Sequence, residues 1–96
     1  MNNSEVARVF TAIADLLEIK KGNPFKIRAY RKAVGSIESL PVEIADLVAE
    51  KRLREVPGVG EAIAKKITEL VTTGRLGYYE NLRAEFPEGE RNSGQG

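Results

Sequence analysis

Cysteine and histidine are both absent from this 96-residue chain, and tryptophan is missing as well. Without thiols and imidazoles there are no disulfides, no cysteine nucleophile, no imidazole base and none of the usual zinc ligands, so Lys, Tyr, Asp and Glu must carry any chemistry. An intracellular setting is the natural expectation. No apolar run approaches the roughly 20 residues of a membrane span. The start, Met1-Asn2-Asn3-Ser4-Glu5, lacks a basic region followed by an apolar core, so nothing marks the chain for export. No segment alternates with period two, and no closely spaced aspartates fall on a plausible strand, which excludes a two-metal centre for phosphoryl transfer.

A hydrophobic content of 42% suffices for one small domain with a modest core. The net charge of +1 hides two segments of opposite sign. Between Lys20 and Ile37 every charge is positive, from Lys20, Lys21, Lys26, Arg28, Arg31 and Lys32, whereas Glu38 to Glu50 carries Glu38, Glu43, Asp46 and Glu50 with no base. A basic patch on a nearly neutral protein is the footprint of a defined nucleic-acid contact surface; its plain alternative is a solvated helix face.

The apolar spacing predicts an all-α fold, a compact bundle of four to five short helices. Ser4 is placed to cap a first helix whose stripe is Val6, Val9, Phe10, Ile13, Leu16 and Leu17, ending near Lys20-Lys21 with Gly22 just beyond. Asn23 followed by Pro24 predicts the start of a second helix, with Phe25, Tyr30, Ala33, Val34 and Ile37 as its stripe to Leu40 and Pro41 as its stop. A third helix is expected over Val42 to Glu50, a short turn over Leu53 to Val56, and a fourth helix from about Gly60 to Thr73, stopped by Gly74. Leu76, Tyr78, Tyr79, Leu82 and Phe86 predict a last short helix packed on the others. One domain over residues 1–86 is therefore expected, with the polar, glycine-rich residues 87–96 as a disordered tail or the start of a linker.

The most informative stretch is Leu53-Arg54-Glu55-Val56-Pro57-Gly58-Val59-Gly60, which runs directly into Glu61-Ala62-Ile63-Ala64-Lys65-Lys66-Ile67. Pro57 ends one helical segment, and the glycines supply unusual dihedrals and missing side chains where a ligand can approach the backbone. The next helix offers unpaired N–H groups and a positive dipole end, so Gly58, Val59 and Gly60 read as a helix-hairpin-helix gripping a nucleic-acid phosphate without reading a base. A helix-connecting turn with no ligand is the alternative. The carbonyls of Arg54, Val56 and Val59 are a candidate monovalent cation site (Na+ or K+); no other cofactor is expected.

On the helical wheel Ile63, Ile67, Leu70 and Val71 face inward, Lys65 lies on the far side and Lys66 at the apolar edge. An amine there, close to other cations, can lose its proton more readily than usual and attack a sugar aldehyde as a Schiff-base nucleophile. A surface lysine that only attracts phosphate is the other reading of Lys66. Tyr30 sits among Arg28, Arg31 and Lys32, where its ring fits the core and its hydroxyl the basic surface. Phe25 is expected to staple the second helix to the first, with an exposed stacking platform as the alternative.

Phe25-Lys26-Ile27-Arg28-Ala29-Tyr30-Arg31-Lys32-Ala33, then Val56-Pro57-Gly58-Val59-Gly60, Ile63-Ala64-Lys65-Lys66-Ile67 and Thr73-Gly74-Arg75-Leu76, resemble the amino-terminal lyase domain of family X DNA polymerases, closest to the bacterial and archaeal versions. The resemblance implies a monomeric helical domain that binds gapped or nicked DNA and its 5′-phosphate in base excision repair, in a prokaryotic cytoplasm at the nucleoid. It implies 5′-deoxyribose-phosphate lyase chemistry with Lys66 as the Schiff-base lysine. Lys26 and Tyr30 would line the 5′-phosphate pocket, Arg28, Arg31, Lys32 and Lys65 would add to the DNA surface, and Phe25 would stand where the family has a base-stacking histidine. Ala62 and Lys65 depart from the family's lysine and glutamate, and Tyr78 takes a place where a basic residue would help. In that family the chain continues into a polymerase domain, so these residues are expected to be an excised domain or a shortened relative. The rival reading is a non-catalytic helix-hairpin-helix module for DNA backbone or a protein partner.

Overall fold

The computed structural model describes residues 1–86, and the expected tail at 87–96 lies outside the described residues. Among the described residues five α-helices follow in order, α1 (Asn3–Ile19), α2 (Pro24–Glu38), α3 (Ile44–Ala49), α4 (Glu61–Thr73) and α5 (Gly77–Ala84), with a 3₁₀ turn at Leu53–Glu55 before α4. No strand occurs among the described residues. None of these helices is long and apolar enough to cross a membrane.

The long pair α1 and α2 packs along its length, and the shorter elements close over one side of it. Val6, Phe10, Ile13 and Leu17 of α1 meet Tyr30, Ala33 and Ile37 of α2, while Ile44, Leu53, Val56, Val59, Ile63, Ile67, Leu76 and Leu82 complete one core. Lys20, just beyond α1, pairs with Glu85, just beyond α5, and ties the end of the last helix to the end of the first.

Several boundaries differ from the sequence expectation. Asn2, not Ser4, caps α1: its side chain accepts the Glu5 N–H at 2.8 Å, and the Glu5 carboxylate accepts the Asn2 N–H at 2.8 Å. Helix α2 starts as expected, with the Asn23 side chain accepting the Phe25 N–H and Pro24 in the first turn. It ends at Glu38 because Leu40 precedes Pro41, where α geometry is disfavoured. Helix α3 begins at Ile44 and not at Val42. The Asn3 side-chain amide donates to the Val42 carbonyl at 2.8 Å and its oxygen accepts the Ile44 N–H at 2.7 Å, holding Val42 outside the helix. At the end of α1 the left-handed residue is Lys21 (φ 58°), not Gly22, and the Gly22 N–H closes the turn on the Leu17 carbonyl at 2.8 Å.

Candidate nucleic-acid interface

The hairpin is built from the 3₁₀ turn, Val56 to Gly60 and the start of α4. Val56 and Val59 are buried, anchoring the loop from beneath, and the Val59 N–H donates to the Val56 carbonyl at 3.0 Å. Gly58 takes φ 83°, a left-handed value that suits glycine, and a Cβ there would lie 2.8 Å from Lys32 Cγ. The stem of Lys32 therefore lies over the loop. The Ser36 hydroxyl donates to the Pro57 carbonyl at 2.6 Å and fastens the hairpin to α2.

Gly60 differs from Gly58. Its backbone is extended (φ −89°, ψ −172°), and a Cβ there would meet nothing within 4 Å. Neither packing nor backbone geometry within the protein demands glycine at that point. Asparagine side chains cap α1 and α2, but no side chain caps α4, whose N-cap is Gly60. Among the described residues the N–H groups of Gly58 and Gly60 find no protein acceptor. Bare donors at an open helix start are what an external anion uses.

Beside this helix start lies a cavity of about 320 Å³ lined by Lys26, Tyr30, Gly58, Gly60, Ala62 and Lys66, among others. Residues from two separate stretches of sequence, the start of α2 and the hairpin with the start of α4, converge there. The two amines share one aromatic neighbour, since Lys66 Nζ lies 4.8 Å and Lys26 Nζ 5.3 Å from the Tyr78 ring centre. Among the described residues, neither amine has a carboxylate within ion-pair distance. Behind them the rings of Phe10, Tyr30 and Tyr78 stack at 5.9 and 6.2 Å, running from the core to the surface. Burial first, then the neighbouring Tyr78, pushes the Tyr30 phenol above its ordinary range. It remains a neutral group able to donate a hydrogen bond.

Arg31, Lys65 and Arg28 do not line this cavity. Arg31 is held by Asp15 at 2.9 Å and Glu18 at 2.5 Å, contacts that raise its guanidinium above the ordinary value. Lys65 is exposed and 3.9 Å from Glu61. Arg28 lies 5.2 Å over the ring of Phe25, which is 73% exposed. The expected staple is thus absent, since so exposed a ring is not packed on α1, and the exposed platform is the arrangement found. Arg54, Val56 and Val59 belong to one continuous turn, in which the Val56 oxygen already accepts one hydrogen bond and retains a second lone pair.

Two features of the site were not read from the sequence. The resemblance marks Tyr78 only as standing where a basic residue would help, and nothing in its spacing signals that its ring lies beside two lysines from other helices. Glu61 opens α4 like any acidic first-turn residue, yet it lines the same cavity as Lys26 and Lys66.

Comparison with known proteins matches residues 1–76 to the helix-hairpin-helix domain family. Over 89 residues, 93% of the chain, the sequence is 29% identical to DNA polymerase/3′-5′ exonuclease PolX of Bacillus subtilis (strain 168). Over 83 residues, 86% of the chain, it is 28% identical to DNA polymerase lambda of Arabidopsis thaliana. The matched part amounts to 15% of the length of each of those proteins.

Proposed function

Because the chain belongs to the helix-hairpin-helix domain family and is related over most of its length to part of two family X DNA polymerases, we propose that it binds DNA at gaps or nicks and holds the 5′-phosphate there. The observation that carries this reading is the pairing of the Lys26 and Lys66 amines over Tyr78, free of carboxylate partners among the described residues and beside the open start of α4. A terminal phosphate carries more negative charge than a phosphodiester, which suits two cations and a neutral phenol donor converging on one cavity. The amides of Gly58 and Gly60 would hold an adjoining phosphodiester. A monovalent cation on the carbonyls of Arg54, Val56 and Val59 would offset the charge of that phosphate, and these neutral oxygens suit such an ion. Such a domain would act where DNA lies, in a prokaryotic cytoplasm.

The same cavity supports a lyase step in base excision repair. The neutral amine of Lys66 attacks the C1′ aldehyde of a 5′-deoxyribose phosphate and water leaves, giving a Schiff base that permits β-elimination. Lys26 and Tyr30 would hold the phosphate of the same sugar, so binding and chemistry share one pocket. Borohydride trapping on gapped DNA bearing 5′-deoxyribose phosphate tests this directly. Wild type is expected to give a covalent adduct that Lys66→Ala loses, while the variant's affinity for 5′-phosphorylated gapped DNA falls by only about tenfold or less, the share of one charged contact among several. Tight binding by wild type without an adduct would make the domain a gap-recognition module only.

A further inference from the structure

Lys66 borders a second cavity as well. Adjoining the first is a space of about 570 Å³ lined by Glu61, Ala62, Lys65, Lys66, Glu69 and Tyr78. Glu61 is the carboxylate that lines both this space and the cavity containing Lys26. Its position is unfavourable for binding alone, since a negative charge at the edge of an anion pocket opposes the phosphate the pocket would hold.

The two acids of the larger cavity are differently engaged. One Glu69 oxygen accepts the Gly77 N–H at 3.0 Å and thereby holds the start of α5. Glu61 has only the loose contact with Lys65, 3.9 Å apart with both side chains about three-quarters exposed. It is therefore free to move toward a group seated on Lys66. Ala62 forms part of the wall of both cavities and, having no side chain beyond Cβ, leaves space beside the amine.

Resting on the lyase reading of Lys66, we propose that Glu61 is the general base of the elimination step. Once Lys66 Nζ has condensed with C1′ and water has left, the Glu61 carboxylate takes a proton from C2′. The C–H electron pair becomes the C2′–C3′ double bond in conjugation with the iminium, the C3′–O3′ bond breaks, and its electrons depart with the phosphate of the downstream strand. Glu61 then returns its proton to solvent. In this arrangement the sugar occupies the larger cavity and its phosphate the cavity that contains Lys26.

The test separates imine formation from elimination in single turnovers of the 96-residue chain. Borohydride trapping reads the first and strand release without borohydride reads the second. Glu61→Gln is expected to preserve the trapped adduct, to slow elimination by about 100-fold, and to bind 5′-phosphorylated gapped DNA more tightly because a repulsive charge is gone. Glu61→Asp, which keeps the carboxylate, should recover much of the elimination rate. Elimination by Glu61→Gln at the wild-type rate would overturn the proposal, as would parallel loss of trapping and elimination with a lowered melting temperature, the mark of a structural role. Failure of wild type to form any adduct would overturn the lyase reading itself and this step with it.

Discussion

The two hairpin glycines serve different ends, and substitution should separate them. Gly58 combines a left-handed φ with a Cβ position 2.8 Å from the Lys32 stem, so Gly58→Ala pays for an unfavourable dihedral and displaces a side chain. A loss of about 1–2 kcal/mol in folding stability is expected from the dihedral alone. Gly60 has neither constraint. Gly60→Ala weakens a helix N-cap slightly and reduces the freedom of the unfolded chain, two effects of opposite sign, so stability should stay within about 1 kcal/mol of wild type. Its Cβ would project into the open space where a phosphate must approach the amides, and affinity for gapped DNA should fall by about tenfold or more. Thermal melts paired with binding titrations check both variants. A Gly60→Ala variant that binds DNA normally would remove the hairpin amides from the contact.

At the scale of elements, the helix ends expose a sequence choice that the fold tolerates at some cost. Lys51 follows α3 with φ 58°, as Lys21 follows α1, whereas Gly74 follows α4 with φ 78°. Lys51→Gly should therefore stabilise the protein by about 0.5 kcal/mol after the greater freedom of an unfolded glycine is deducted, raising the melting temperature by about 2–4 °C. Gly74→Ala, with open space around its Cβ but the wrong dihedral, should shift the melt downward by a comparable or larger amount. These ends also show what the sequence made legible. Asn23-Pro24 and Gly74 were readable because cap and stop chemistry is local to a few residues, and the stripe of α1 because 3.6-residue spacing is periodic. The start of α3 was not, since Asn3 sets it from about forty positions away in sequence through two hydrogen bonds. Phe25 failed for a related reason: its spacing suited a staple, but whether an end residue of a stripe is covered depends on what crosses it. Lys26, Tyr30 and Lys66 were nominated by residue type and resemblance, whereas the meeting of Tyr78 with both amines, and of Glu61 with Lys26 around one cavity, arises only when separate helices pack.

Across the whole molecule, a nearly neutral chain pairs several of its cations locally and leaves the Lys26 and Lys66 amines without such partners among the described residues. Arg31 is taken up by Asp15 and Glu18, Arg52 by Glu50 and Glu55, and Arg75 by Glu80, while Lys26 and Lys66 keep no acidic partner among the described residues. The basic run from Lys20 to Lys32 is thus divided by the fold into cations held in ion pairs, such as Lys20 and Arg31, and cations left open, such as Lys26. Salt dependence distinguishes them, because only cations that displace counterions from DNA contribute to the slope of log affinity against log salt. Removing Lys26 by Lys26→Ala should reduce that slope by about 0.7–0.9. Arg31→Ala should leave the slope nearly unchanged. Its effect should appear in the thermal melt instead, and only as about 0–1 kcal/mol, since the ion pairs that it breaks are exposed. An equal reduction in slope by both variants would mean that Arg31 leaves its carboxylates to reach DNA and that the bound surface extends along α2 well beyond the Lys26–Lys66 cavity.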